Sequence, residues 1–479
     1  MLCRKVQILS PLWGSKKKES LSFRGFTPPA ITLRPLRGLK KSTSPASLKL
    51  RRIRWLPHRR WLCFALLFFS FATASFSRTA DYPLSKGDTR DIHFYNPPVR
   101  NLVLVQPSGQ TIEKIILCIG DGMGFNQIAM ARQKAVGMDG GLWMETLPVA
   151  GFVRTFSASS EITDSAAAVT AMACGIKTDN GVLGIGADGK AYASVLEIFS
   201  KKGWRTGLVA TSTITHATPA GFASHVSSRN DEEDIAEQML NNRVDILFGG
   251  GRKFWLPLGI EGGARGGRKN LIAMAQRAGY HIVQNREEMM DLTYGPALGL
   301  FADEAMTTFE PEPMLSEMAQ KAIELLSAKN KDWFAPQPKF FLMIEGSQID
   351  SAGHAKDTDN SIRQTLLFDM AVKEALDFAR QDRRTLLIIT ADHETGGLVL
   401  EKSLTDSKKI YPAWKTKEHT GADVPLFAFG PGAQDFAGVQ DNTDIAKKIA
   451  KLMHLSPFPQ PVEITGGRHS KKLEMVTNP

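Results

Sequence analysis

Cysteine is nearly absent from this 479-residue chain: there are four, and only Cys118 and Cys174 lie beyond residue 74. Two thiols exclude an extensive disulfide framework. Both are expected to be buried as small apolar residues, Cys118 in a core strand and Cys174 at a helix end. Long apolar runs are missing too. The best, Trp61 to Phe71, is too short for a confident membrane span, and no other stretch is long enough. The glycine-rich stretches FGGGRK (248–253) and EGGARGGRK (261–269) lack the Gly-Lys-Ser/Thr ending of a nucleotide-binding loop, so plain loops are expected there. Acidic residues are almost missing from one end of the chain. Residues 1–60 hold 16 Lys and Arg against Glu19 alone, a charge of +15, and residues 61–74 hold no charge. The whole chain carries +10, so residues 75–479 carry −5. The basic excess belongs to the leader, and nucleic-acid binding loses its main electrostatic argument.

That leader has the anatomy of an export signal. Arg51, Arg52, Arg54, Arg59 and Arg60 precede the apolar run, and Ala72-Thr73-Ala74 fits a small-residue cleavage site. Cleavage is expected after Ala74, with an uncleaved signal anchor as the weaker alternative. The mature protein is expected to be exported, periplasmic or secreted, with no stable membrane span. Twin-arginine export from Arg59 and Arg60 fits poorly, as does lipoprotein processing at Cys63. The segment before the signal is rich in Pro, Ser, Lys and Arg and is expected to be disordered. No methionine follows Met1 until Met123, so a later start, for example near Leu50, would need a non-standard codon. Residues 75–479 are expected to form a single domain, with 464–479 a flexible tail, because the motifs that carry chemistry interleave along the chain.

Seven metal-type ligands fall into four short clusters, each beside an apolar run: Asp121 in IGDGMG, Glu345, Asp350 and His354 in IEGSQIDSAGH, Asp392 and His393 in TADHE, and His419 in KEHTG. Histidine with carboxylate suits zinc, whereas carboxylate, hydroxyl and water oxygens suit magnesium, so both kinds of site are expected. Asp350 and His354, four residues apart, would share one side of a helical turn, with Glu345 just upstream at the end of FFLMI. A fifth cluster, TDSAAAVTAMACG (163–175), offers Ser165 at the head of an Ala-rich helical stretch. No histidine or lysine near Ser165 in sequence offers itself as a base, so metal coordination is the remaining route to an alkoxide. Two zinc ions about 4 Å apart can clamp the attacking and leaving oxygens of an in-line phosphoryl displacement. The set reads as a metal-assisted phosphatase. IILCIG, LVATS, FFLMI and LLIITA each lead directly into such residues, as when ligands sit beyond the carboxyl ends of strands in an α/β sheet. His419 differs, because it precedes its nearest strand, VPLFAFG.

From about residue 112 to about residue 453, the motifs and their order resemble the alkaline phosphatases. The resemblance implies an α/β fold, a three-layer α/β/α sandwich with a large, mostly parallel central sheet. It implies that Asp350, His354 and His419 hold a first zinc, and Asp121, Asp392 and His393 a second, joined by deprotonated Ser165. Asp121 would bridge towards a third metal, magnesium, held with Thr218 and Glu345. Arg229 in SHVSSRN would grip the phosphate, and Asp164 would orient that arginine. Hydrolysis of small-molecule phosphate monoesters through a phosphoserine, and a homodimer, are implied likewise. His216 falls beside the third metal at a position that is aspartate in some members and histidine in others, and Ser351 falls where a basic side chain is common. An imidazole there adds a nitrogen donor and removes a negative charge, which makes zinc or cobalt an alternative occupant.

Each cluster has a plainer reading. A lone Asp-Gly or Asp-His pair is most often a turn, and only five clusters in one order outweigh that. Ser165 or Asp164 could simply cap the helix that follows, which a phosphate-binding helix start also permits. Arg229 alone would be a surface arginine. His225 and His281 read as structural, His93 and His454 as solvated. Two rivals remain on sequence: a related metal-dependent phosphodiesterase or nucleotide pyrophosphatase, against which Glu345 and Thr218 argue, and a non-catalytic binder of phosphate or zinc. His419 follows His393 by only 26 positions, which leaves little room for an inserted surface domain.

Overall fold

The apolar runs that precede the metal-type residues become four adjacent, parallel strands. In the computed structural model, which describes residues 87–107, 109–329, 337–402 and 410–464, these are β1 (Lys114–Gly120), β3 (Arg205–Thr213), β7 (Phe340–Gly346) and β8 (Thr385–Ala391). The expectations for the leader, its cleavage site and the tail beyond residue 464 lie outside the described residues. With β2 (Val149–Arg154), β4 (Ile246–Gly250), β5 (His281–Val283), β6 (Ala297–Leu300), β13 (Val424–Phe429) and β14 (Gly438–Asp441) they form one sheet, in the order β14-β2-β13-β8-β1-β7-β3-β4-β6-β5. Pairing is parallel throughout except on both sides of β13, so that strand alone runs against the others. Helices cover both faces, giving the three-layer α/β arrangement expected.

Burial follows from that layering. Every residue of β1, β7 and β8 is buried, as in parallel strands covered on both faces. Each fully buried Leu or Ile there contributes about 2 kcal/mol of transfer free energy. β2 instead alternates buried and exposed residues, which leaves Phe152 exposed on one face. The Ala-rich stretch is the helix Ser165–Cys174, and all ten of its residues are buried. A helix enclosed on every side cannot carry long polar side chains, which accounts for the alanines. It ends at Gly175, whose φ of 72° suits glycine. Cys118 and Cys174 are unpaired buried thiols, and burial pushes both well above the ordinary thiol pKa.

One glycine-rich expectation needs correcting. Phe248, Gly249 and Gly250 of FGGGRK close the buried strand β4, and a 3-10 turn, Arg252–Trp255, follows Gly251. Glycine is required there by packing, since a side chain on Gly250 would strike the Glu304 carbonyl at 2.1 Å. EGGARGGRK is a loop, as expected.

One buried acid ties both the chain ahead of β1 and the turn ahead of β2 to the helical layer. Asp369, on the 25-residue helix Thr358–Asp382, accepts the backbone N–H of Trp143 at 2.8 Å and of Met144 at 2.9 Å, and the Tyr95 hydroxyl at 2.8 Å. Asp369→Ala would strand three donors, two of them backbone. The expected loss is about 3 kcal/mol in denaturant unfolding; a loss below about 1 kcal/mol would show that the anchor is dispensable.

Candidate active site

The sheet register brings the ligands together. Gly120, the last residue of β1, sits level with Gly346 of β7 and Ala391 of β8. Asp121 and Asp392 therefore emerge side by side, and Glu345 lies next to them at the end of β7. β3, on the other side of β7, leads into the turn that carries His216 and Thr218. The exception noted for His419 also resolves. Because β13 is antiparallel, with Leu426 opposite Thr390, residues that precede it reach the edge that residues following β8 reach. His419 is held there by a two-residue ladder in which β12 (His419–Thr420) pairs with β9 (Glu394–Thr395). The connection between them is largely a hairpin, β10 (Leu398–Lys402) and β11 (Ile410–Trp414), rather than an inserted domain.

Three groups of ligand atoms result, each with all its atoms within 4.8 Å of one another: Asp350, His354 and His419; Asp121, Asp392 and His393; and Asp121, His216 and Glu345. Asp121 is common to the last two. His216, expected only beside the third group, offers it a nitrogen directly. In the first group, His354 Nε2 lies 3.2 Å from Asp350 Oδ2 and 3.2 Å from His419 Nε2. Asp350 and His354 occupy one face of the helix Gln348–Ala355. In the second, His393 Nε2 lies 3.2 Å from Asp392 Oδ2 and 3.5 Å from Asp121 Oδ1. The turn is tight enough to require glycine: Gly122 has φ 72°, and a side chain on it would meet Asp350 Cα and Thr395 Oγ1 at 2.8 Å.

Hydrogen bonds set the histidine tautomers. His419 Nδ1 donates to the Thr163 carbonyl at 3.0 Å, and His354 Nδ1 to that of Lys417. Thr395 Oγ1 donates to Asp350 and receives His393 Nδ1–H at 3.3 Å. All three Nε2 atoms therefore face inward, available to a cation, which is how metal-ligating imidazoles are usually oriented.

Ser165 is the first residue of its helix, not its cap, and its Oγ lies 3.3 Å from His393 Nε2. Asp164 combines both roles considered for it. Its Oδ1 caps the helix by accepting Ala167 N–H at 2.9 Å; its Oδ2 accepts Gly181 N–H at 3.0 Å and Arg229 Nη1 at 3.1 Å. The other arm of Arg229, Nη2, donates to His216 Nε2 at 2.8 Å.

The donor set fits cations. Asp121 Oδ1 and Oδ2, Asp392 Oδ2, Glu345 Oε1, Thr218 Oγ1 and His216 Nδ1 are all buried without a hydrogen-bond partner. Burial pushes Asp392 up to about 6 and Glu345 up to about 7, and burial with the neighbouring carboxylates raises Asp121 well above its usual range. Burial would also raise Asp350, but His354 and His419 outweigh it and hold the carboxyl far below that range. Burial opposes charge on His354 as well, yet Asp350 lifts it to about 9. Burial and the Arg229 charge hold His216 down at about 3.

Some contributors carried no expectation. Glu394, quoted within TADHE, accepts Gln127 Nε2 at 2.9 Å, Leu398 N–H at 3.1 Å and the Thr420 hydroxyl, tying the His419 ladder to the sheet. Thr395, two residues past His393, links two ligand groups. Neither stands out in sequence from any other Glu-Thr pair. Of the remaining histidines, His225 is buried against Glu197 and the Gly184 carbonyl, both at 3.0 Å, and His281 packs edge-on to Tyr294. His93 and His454 are exposed.

A family model for alkaline phosphatase matches residues 112–413 and 401–455. Alkaline phosphatase 3 of Bacillus subtilis (strain 168) is 34% identical, with 71% of this chain and 89% of the relative covered. Streptomycin-6-phosphate phosphatase of Streptomyces griseus is 34% identical, with 71% and 90% covered. Among solved structures, alkaline phosphatase from the Antarctic bacterium TAB5 superposes with a TM-score of 0.65 at 35% identity, covering 72% of this chain and 99% of that one. A His-to-Asp mutant of the TAB5 protein, with magnesium bound in the M3 site, gives 0.63 at 34% identity, covering 72% and 99%.

The raised carboxylates carry a sign. Their ordinary values are 3.8 and 4.5, so without metal these two carboxyls bind more protons in the folded state than in the unfolded chain until about pH 7. Their contribution to the stability of the metal-stripped protein should then fall as pH rises through about 4 to 7. A bound cation needs the same carboxylates deprotonated, so the increment it adds to stability should grow over that window. Melting temperatures of stripped and metal-loaded protein between pH 5 and 8 check this; an increment independent of pH would sink it.

Proposed function

The chain belongs to the alkaline phosphatase family and is a metal-dependent phosphomonoester hydrolase, and from that premise we propose that it works through a phosphoserine on Ser165. Asp350, His354 and His419 would hold one zinc, and Asp121, Asp392 and His393 a second, which Ser165 joins once deprotonated. Asp121, Glu345 and Thr218, with His216, would hold magnesium, and the imidazole nitrogen softens that donor set enough for zinc or cobalt to compete. Support comes above all from Ser165 Oγ standing 3.3 Å from His393 Nε2 while the residue before it anchors Arg229.

Two bound zinc ions would supply Lewis acidity at both ends of an in-line displacement, activating the serine hydroxyl and stabilising the departing alkoxide. Ser165 Oγ attacks phosphorus, the bond to the leaving alcohol breaks, and the phosphoryl group is carried on the serine. Arg229 grips the non-bridging oxygens, and the backbone N–H groups at the start of the helix Ser165–Cys174 add a favourable dipole. Water then cleaves the phosphoserine, restoring Ser165 and releasing inorganic phosphate. Binding energy drawn from the phosphate alone would leave the alcohol portion unread, which suits broad monoester specificity.

We further propose that the protein is exported to the periplasm or secreted with residues 1–74 removed, and that the mature chain forms a homodimer. An exposed apolar patch fits the second copy. Phe125 and Phe152, 42% and 47% exposed, have ring centroids 5.4 Å apart, and Val439 pairs with Phe152 across the sheet edge. Among the described residues, no helix is long and apolar enough to cross a membrane. Intact mass and sedimentation of the exported protein should give a chain beginning at Ser75 and twice its mass in solution; a monomer, or a retained leader, contradicts the corresponding part.

Ser165→Ala should lower monoester turnover by roughly three orders of magnitude or more while zinc content and fold persist. Acid quenching with a labelled monoester should trap phosphoserine in the unsubstituted protein and none in the variant. Near-normal turnover by the variant, or faster turnover of a diester than of a monoester, would overturn the mechanism.

A further inference from the structure

Arg229 is held at both ends by groups that are not phosphate. Nη1 donates to Asp164 Oδ2 at 3.1 Å and Nη2 to His216 Nε2 at 2.8 Å. Asp164 is itself fixed by Ala167 and Gly181, so that contact has little freedom. The His216 contact is different in kind. A guanidinium can only donate, so the imidazole must accept, and a neutral imidazole has a single in-plane lone pair to accept with. Its other nitrogen, Nδ1, is buried and has no partner.

His216 is also one corner of the third ligand group, with Asp121 and Glu345. A cation bound through His216 needs that same lone pair, whichever ring nitrogen carries it, because the other nitrogen then carries the proton. Accepting from Arg229 and ligating a cation therefore exclude each other. We infer that His216 is a releasable holder of Arg229: a cation in the third group takes the imidazole lone pair and frees Nη2 to join Nη1 in gripping phosphate. His216 is on this account a positioning residue that makes phosphate affinity depend on third-site occupancy. The inference rests on the reading of Arg229 as the phosphate-gripping residue.

Calorimetric titration of inorganic phosphate into protein carrying two equivalents of zinc, with and without a third equivalent of cobalt(II), tests it. Cobalt absorption and metal analysis report occupancy. Filling the third site should tighten phosphate about tenfold, the order expected of one charge-assisted hydrogen bond. In His216→Ala, Arg229 has no holder, so the cobalt-free protein should already bind phosphate as tightly as the cobalt-loaded parent. In His216→Gln, the amide oxygen has lone pairs for both partners, so binding should stay at the weaker level with cobalt present. Simple attraction between cobalt and phosphate predicts neither result. Cobalt-independent affinity in the parent, or a His216→Ala protein that binds phosphate as weakly as the cobalt-free parent, would overturn the holder role. Arg229→Ala separates the two ideas: if it leaves phosphate affinity unchanged, the reading of Arg229 fails and the inference with it. If it weakens phosphate while the parent ignores cobalt, only the inference fails.

Discussion

Three buried carboxylates at one edge of the central sheet are the constraint around which this molecule is arranged. Asp121, Glu345 and Asp392 are essentially excluded from solvent and repel one another. An uncompensated buried charge costs several kcal/mol even after relaxation. Three acids in one place make sense only with cations among them, and the unpartnered oxygens of all three point to the same conclusion. The fold tolerates this because the strands beneath are uniformly apolar and tightly packed, so the unfavourable electrostatics are confined to one edge of the sheet.

Around that centre, the surrounding groups are chosen for what they leave open. Each inward-facing histidine gives its Nδ1 proton to a carbonyl or to Thr395, and Asp392 spends only Oδ1 on the N–H groups of Gly122 and His393. Asp164 caps a helix with one oxygen and fixes an arginine with the other. Glu394, one residue past a ligand, holds no cation itself but ties the His419 ladder to the sheet. Preorganisation of this kind matters because a displacement of 1 Å in an in-line geometry can cost about a hundredfold in rate. It also explains the site's economy: Asp121 belongs to two ligand groups, and His216 reaches both the third ligand group and the arginine.

Much was legible in the amino-acid order because the chemistry and the strand signal coincide. IILCIG, FFLMI and LLIITA are recognisable as buried strands from their β-branched and aliphatic runs, and the acids that follow them are out of place in any apolar context without a purpose. The four-residue spacing of Asp350 and His354 fixed their common helical face. Less was legible where the pattern is local but its meaning is not. FGGGRK looks like a loop, yet half of it is strand, because the close approach of the Glu304 carbonyl removes room for side chains. Either Ser165 or Asp164 could have capped the Ala-rich helix on sequence, and it is Asp164 that takes that position, with Ser165 in the first turn.

The sequence by itself determined the residue types, the order of the clusters and the leader's charge asymmetry, since these follow from composition and short-range periodicity. Only the tertiary structure decided which candidate ligands lie close enough to share a cation, because that depends on strand order: β8, β1, β7 and β3 are neighbours in space and far apart in the chain. It decided that His419 belongs at the same edge, because β13 runs backwards. It decided the contact between Arg229 and His216 as well. That pairing depends on how two separate stretches of chain meet beyond the sheet edge, and no spacing rule encodes it.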